Sequence, residues 1–169
     1  MSSIERSLVV FKPDAVCRGL VGEILMRFEK RGLKMIGMKM LSPDKDFYYH
    51  HYETIGKMIS RRGELPFERN LKYMQMGPVI AMVFEGIDAT KAIRQMAGTT
   101  EPQAANPGTI RGDYAHLSFD YANAPETAQP VFNLLHASGD SEEAEQEIAH
   151  WFKAEELFDY QRDDEKFVN

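Results

Sequence analysis

The stretch Asn133-Leu-Leu-His136-Ala-Ser138-Gly-Asp140 sets a histidine where a short apolar run, 132–135, gives way to a turn of small residues. That position belongs to the edge of a sheet. A neutral imidazole there is a good nucleophile and a mobile phosphoryl carrier near neutral pH. It needs a partner on its second nitrogen to fix its tautomer, and Glu147 of the following helical segment is the candidate carboxylate. The same spacing also suits a partly buried structural histidine bonded to backbone. In Pro107-Gly-Thr-Ile-Arg111-Gly-Asp113, two glycines permit tight backbone around an arginine that can grip a phosphate bidentately. The bland alternative is a surface loop with an exposed arginine. Arg94 precedes this loop and Thr100 begins it, so both can face one pocket. Lys12, at a strand end beside Pro13, can reach phosphate or ribose. Taken singly, each of these three is an ordinary solvated residue. Tyr52 and Phe67 lie in an aromatic-rich helical region, where core packing competes with base stacking. His50 and His51 are adjacent and cannot share one helix face, which speaks against a metal site there.

Other chemistries are excluded by what is missing. There is no G-x-x-x-x-G-K-[ST] loop, no G-x-S-x-G elbow and no H-E-x-x-H pair. The single cysteine, Cys17, allows neither an internal disulfide nor a thiolate zinc cluster. A formal net charge of -6 argues against general binding to nucleic acid or to anionic membranes, but leaves room for a local basic pocket. The N-terminal residues lack the apolar core of a signal peptide, and no run approaches the ~18 apolar residues of a membrane span. The expected location is the cytoplasm. With 169 residues, 43% hydrophobic and 27% charged, the chain reads as one ordinary domain, 1–169.

The elements that must carry these side chains follow from pattern. Leu8-Val-Val-Phe11 reads as a short buried strand that ends at Lys12, because the residue before a proline stays extended. Leu20, Val21, Ile24, Leu25 and Phe28 keep helical spacing, with Gly32 as the stop. A second strand is expected over 33–41, and two helical pieces with a loop between them over 44–76, broken at Gly63 and Pro66. The continuous apolar run Val79–Phe84 suits a central strand covered on both faces. Asp88 is a candidate cap for a helix bearing Ala92, Ile93, Met96 and Ala97. Residues 98–113, rich in glycine and proline, and 120–130, with Pro125 and Pro130, read as loops, and 132–135 as a brief strand. Asp140 and Glu143 suit a capping box for a last helix with a buried stripe of Ala144, Ile148, Trp151 and Phe152. The acidic tail from Asp159 reads as surface-bound or frayed. The alternating order of strands and helices predicts an α+β sandwich of the split βαβ type.

Together the segments carry a resemblance. F-K-P-D-A-V at 11–16, R-G-L-V-G-E-I at 18–24, K-Y-M-x-x-G-P-V at 72–79, N-P-G-T-I-R-G-D at 106–113, N-L-L-H-A-S at 133–138 and W-F-K-x-E-E-L at 151–157 resemble the nucleoside diphosphate kinase family in order and approximate spacing. The resemblance implies a ferredoxin-like fold, with a four-stranded antiparallel sheet and surrounding helices. It implies ping-pong phosphoryl transfer between nucleoside tri- and diphosphates through a phosphorylated His136. Glu147 matches the carboxylate that orients the histidine, and Ser138 the hydroxyl bonded into that pair. Lys12, Tyr52, Arg94, Thr100 and Arg111 match groups around the phosphates, Asn133 and Lys12 contacts to the sugar 3′-hydroxyl, and Phe67 the aromatic that stacks on the base. The family uses Mg²⁺ held chiefly by nucleotide phosphates and water, which implies few or no protein ligands, and it assembles as homo-oligomers, hexamers or tetramers. A catalytically inactive nucleotide-binding or assembly module on the same fold is the alternative. Three departures stand out. Where the family carries an aspartate two positions before Ser141 stands Gly139, and the acid is Asp140. Residues 53–65 are about seven longer than usual and 114–132 about twelve longer, lengths that surface loops tolerate. The second excess displaces the apolar residue expected on the other face of the base, so part of 114–130 is expected either to cover the base slot or to pack outward against a neighbouring subunit.

Overall fold

The computed structural model describes residues 3–168; Met1, Ser2 and Asn169 lie outside them. Strands β1 (Ile4–Phe11), β2 (Lys34–Leu41), β3 (Val79–Ile87) and β4 (Leu135–Ala137) form one sheet in the order β2-β3-β1-β4, every neighbouring pair antiparallel. The two continuous apolar runs are the two central strands. Because side chains alternate across a strand, Val9, Phe11, Met82 and Phe84 enter one core layer and Leu8, Val10, Ala81 and Val83 the other. The helices are α1 (Pro13–Cys17), α2 (Val21–Lys30), α3 (Lys45–Tyr49), α4 (Met58–Arg62), α5 (Glu64–Met74), α6 (Ala89–Ala97), α7 (Ile110–Tyr114), α8 (Phe119–Asn123), α9 (Ser141–Trp151) and α10 (Glu165–Val168). Ile24 and Phe28 of α2 and Ile93 of α6 close the first layer; Tyr48 of α3, Met74 of α5 and Trp151 of α9 close the second. This is the expected ferredoxin-like arrangement. No helix among the described residues is long and apolar enough to cross a membrane.

Several local expectations are corrected. Residues 44–76 are almost wholly helical. α3 runs straight into a π-helical stretch, His50–Ile55, and the breaks before α4 and α5 fall at Lys57 and Gly63, both at positive φ. Pro66 breaks nothing, because it sits in the first turn of α5, where an N–H is not needed. Asp88 does not cap α6: it is itself left-handed at φ 48°, and Glu5 Oε1 accepts from Thr90 N instead, at 3.0 Å. Asp140 does cap α9, accepting from Glu143 N at 2.8 Å; the reciprocal half of the capping box is not among the hydrogen bonds of the described residues. The 120–130 segment is not all loop, since Ser118 caps α8 through Tyr121 N. Of the two expectations for the tail, the surface-bound one holds, with Arg162 donating to Leu33 O at 2.9 Å and Tyr160 to Met35 O at 2.8 Å.

The brief strand lies three residues later than expected, over Leu135–Ala137, because Leu134 stands at φ 72°. A non-glycine residue in that region is strained and must be held by its surroundings. Here Leu134 N donates to Asp14 Oδ2 at 3.1 Å and Leu134 O accepts from Lys12 N at 2.8 Å. The consequence is positional: β4 pairs His136 opposite Val10, two residues from Lys12.

Candidate active site

Leu135 and Ala137 turn into the α2/α6 core layer, so His136 between them points to the other face of the sheet, towards α9 and the π-helical stretch. Its Nε2 lies 2.7 Å from Glu147 Oε1. The other carboxylate oxygen of Glu147 accepts from Ser138 Oγ at 2.6 Å, and Ser138 Oγ in turn accepts from Leu8 N at 3.1 Å. A chain of bonds therefore runs from the central strand to the imidazole. Glu147 can serve two donors because α9 is anchored at its start by the Asp140 cap. Burial pushes the Glu147 carboxyl above its ordinary value, opposed by the Ser138 hydroxyl. With Nε2 carrying the proton towards this carboxylate, the Nδ1 lone pair is left free. Burial first, and then the Lys12 ammonium, bring the His136 pKa down to about 3, against the opposing pull of Glu143. The imidazole is neutral throughout the physiological range.

His136 opens into a cavity of about 640 Å³, within the range of small-molecule sites. Lys12, Tyr52, Arg94, Thr100, Arg111 and Asn133 all line it, as does Glu147. Lys12 Nζ donates to Asn133 Oδ1 at 2.9 Å, and Asn133 Nδ2 to Thr100 O at 2.9 Å, so three predicted residues hold each other. Burial, and then the Arg111 guanidinium, lower the Lys12 pKa to about 7. Tyr52 is buried, with its hydroxyl unpartnered and its pKa raised by burial; it is a neutral phenol free to donate.

Arg111 differs from the expected free phosphate clamp. Its Nε, Nη1 and Nη2 donate to Asn133 O at 3.1 Å, Gly98 O at 2.7 Å and Leu135 O at 2.7 Å. The guanidinium stitches the 98–113 loop to β4, and two of its five N–H donors are left for a ligand. Burial and the nearby Arg94 lower its pKa to about 10, which keeps it charged at neutral pH. The loop itself is built around glycines. A Cβ on Gly112 would stand 2.1 Å from Asn106 O, and Asp113 accepts from both Gly108 N and Arg27 Nη1.

Phe67 is placed apart from the other expected residues. It is only 4% exposed, packs edge-on against Tyr49 with ring centroids 5.6 Å apart, and does not line the cavity. Helical phase explains this: Pro66 and Asn70, four apart, face the cavity together, and Phe67 is turned about 100° away into the core.

His51 belongs to the site although its sequence context assigns it no role. It lies against His136 with ring centroids 4.5 Å apart, and its Nδ1 accepts from Trp151 Nε1 at 3.1 Å. That bond puts the proton on Nε2, which is buried without a partner. Burial and the neighbouring His136 drive its pKa far down, so the 3.6 Å approach of Nδ1 to Glu147 is not an ion pair. His50 turns the other way and stacks near His150. The adjacency that argues against a metal site is thus also a signal that one of the two faces inward. The π-helical stretch sets His51 and Tyr52 side by side in the wall, a geometry frequent at functional sites.

A histidine paired with a buried carboxylate, in a cavity also lined by Lys12, Arg94 and Arg111, is an arrangement suited to phosphoryl transfer, and comparison with known proteins gives the family. The family model described as nucleoside diphosphate kinase matches residues 5–157. The chain belongs to the nucleoside diphosphate kinase family. It is 46% identical to the nucleoside diphosphate kinase of Pyrococcus furiosus over 160 residues, covering 95% of this chain and 90% of that one. The nucleoside diphosphate kinase of Borrelia burgdorferi, solved as a transition-state mimic with bound vanadate and ADP, superimposes with a TM-score of 0.91 at 40% identity, covering 96% of this chain and 95% of the other. The halophilic nucleoside diphosphate kinase of Halobacterium salinarum, in complex with CDP, gives a TM-score of 0.81 at 38% identity, with 99% of each chain covered.

Proposed function

We propose that this member of the nucleoside diphosphate kinase family moves the γ-phosphoryl group of a nucleoside triphosphate to a nucleoside diphosphate through a phosphohistidine at Nδ1 of His136. The observation that carries the proposal is the Ser138–Glu147–His136 chain at the wall of the cavity, which commits Nε2 and leaves Nδ1 as the uncommitted ring nitrogen in a cavity also lined by Lys12, Arg94 and Arg111. Nδ1 attacks the γ-phosphorus in line. The N–P bond forms as the bond to the β-phosphate oxygen breaks, and the diphosphate leaves with that electron pair. The positive charge gained by the imidazole is stabilised by Glu147 through the Nε2 proton. A second diphosphate then takes the phosphoryl group by the reverse steps. Arg94, Arg111 and Lys12 stabilise charge on the phosphoryl oxygens, Tyr52 and Thr100 complete the phosphate surround, and Lys12 and Asn133 serve the sugar hydroxyl.

The only group of three metal-ligating side chains among the described residues is His51, His136 and Glu147, and two of these are the nucleophile and its partner. That donor set fits a Mg²⁺ ion that arrives on the nucleotide rather than one held by the protein. When bound with the nucleotide, the ion would neutralise charge on the phosphate groups beside Lys12, Arg94 and Arg111. A homo-oligomer, hexameric or alternatively tetrameric, and a cytoplasmic location complete the proposal; sedimentation at micromolar concentration checks the first.

Varying both nucleotides should give parallel double-reciprocal lines, and γ-labelled ATP should leave an acid-labile, base-stable label on the protein. Intersecting lines with no label would refute the covalent route.

A pH dependence follows from Lys12. Its pKa of about 7 in the free protein must rise when a phosphate anion binds beside it, since an opposite charge favours the charged form. Between pH 7 and the raised value, binding takes up a proton, so affinity falls as pH rises, by up to tenfold per unit. Calorimetry of ADP binding from pH 7.5 to 9, in buffers of different ionisation enthalpy, checks this. A pH-independent affinity without proton uptake would sink it.

A further inference from the structure

The cavity holds one carboxylate that the transfer reaction proposed above does not use. Glu143 lies one helical turn before Glu147 on α9, so the two carboxylates share a face of that helix. Both line the cavity with His136. The Glu143 side chain is only 12% exposed, and no hydrogen bond among the described residues reaches its carboxylate oxygens. Gly139, one of the departures from the family pattern, leaves the space that it occupies. A Cβ at position 139 would stand 2.7 Å from Glu143 Oε2 and 3.3 Å from its Cδ, so a side chain there would displace the carboxylate. The cation beside it is Arg61 of α4, from the longer 53–65 stretch. Its Nη2 lies 3.6 Å from Glu143 Oε2, and it too lines the cavity. Like charges four apart destabilise a helix, and a largely covered carboxylate without a hydrogen-bond donor adds to that cost. Packing therefore gives no reason for Glu143 to stand there. Burial and then Glu147 raise the Glu143 pKa, opposed by His136 and Arg61, and Glu143 in turn pulls the His136 pKa upward. The carboxylate and the imidazole thus feel each other's charge.

We infer that Glu143 and Arg61 are an opposed pair that sets the phosphoryl-transfer potential of the phosphohistidine, the carboxylate raising it and the guanidinium lowering it. The inference rests on the proposed phosphohistidine at His136. A phosphoryl group on the imidazole carries roughly two negative charges. Glu143 repels them, so the phosphoenzyme is held at a higher free energy relative to the free enzyme. That eases return of the group to a nucleoside diphosphate. Arg61 attracts the same charges and limits the effect. It is the weaker of the two, because its side chain is 60% exposed and screened by solvent. Neither residue makes or breaks a bond. Both are positioning residues that act through the charge on His136.

The test is an equilibrium rather than a rate. Wild type, Glu143→Gln, Arg61→Gln and the double variant are incubated at pH 8 with γ-labelled ATP and ADP, both below their KM, and the ATP:ADP ratio that labels half the protein is read. Glu143→Gln keeps the side-chain size and removes the charge, so it reaches half-labelling at a ratio about 3–30-fold lower than wild type, the scale of one partly screened charge acting over several ångströms. Arg61→Gln needs a ratio about 2–10-fold higher. The double variant lies between the two single ones, and both shifts shrink as salt is raised. A pair that only braced α4 against α9 would lower the melting temperature and leave the ratio unmoved, because free and phosphorylated enzyme share that loss. If either single variant keeps the wild-type ratio, or both move in the same direction, the inference is overturned while the labelled protein leaves the kinase reading standing. A wild type that takes no label overturns both.

Discussion

His136→Ala folds and binds nucleotide, but its kcat/KM for phosphoryl transfer is expected to fall by about 10⁴–10⁶-fold, the scale seen when a covalent nucleophile is removed. The size follows from the geometry. Among the described residues that line the cavity, His51 carries the other imidazole, and it is no substitute. Its Nδ1 accepts from Trp151 and its Nε2 carries a proton, so it has no free lone pair to offer. The residual rate is the positioning supplied by the cations. Folding survives because the side chain removed belongs to a three-residue edge strand whose pairing with β1 is made by backbone. Circular dichroism, ADP calorimetry and γ-labelled ATP on the same sample check the three parts. Activity within a hundredfold of wild type, or a retained acid-labile label, would remove His136 from the mechanism.

Arg111→Ala is expected to be the most damaging change in the cavity for stability, and to cost activity as well. Three backbone carbonyls, of Gly98, Asn133 and Leu135, lose their donor at once. Each unsatisfied buried acceptor costs about 1–3 kcal/mol, and relaxation recovers part of that, so a loss of about 3–5 kcal/mol is expected. Activity should fall by a further 10²–10³-fold, the usual scale for one lost transition-state donor. Arg111→Lys separates the two roles. An ammonium keeps the charge but cannot reach three carbonyls in a planar fork, so it recovers activity in part and stability hardly at all. Thermal unfolding and kinetics of both variants test this. An Arg111→Ala protein as stable as wild type would mean that the stitching of loop to strand is energetically idle.

Much of the site is legible in the amino-acid sequence. The apolar runs at 8–11 and 79–84 read as buried strands because nothing polar interrupts them, and they occupy the sheet centre. His136 with Glu147 is legible because a strand-to-turn histidine followed by a capped helix brings a carboxylate back to it, and the Asp140 cap forms. Lys12 is legible because a proline must end the strand behind it.

Other features are decided by packing between distant segments. Phe67 has the residue type of a base platform, but its helical phase is set by where α5 meets Tyr49, and that contact turns it into the core. Asp88 has the residue type of a cap, but Glu5, 85 positions away from Thr90, takes the N–H first. Arg111 is readable as a charge but not as a stitch, because its acceptors are carbonyls of β4 and of the loop before it. Regular helix geometry gives His51 no role, and its π-helical stretch does not obey that geometry. Residue type and short-range spacing thus determined which chemistry the chain carries. Which aromatics turn into the core, and which polar groups are already engaged, was decided by tertiary contacts between segments 13–100 residues apart, where sequence periodicity holds no information.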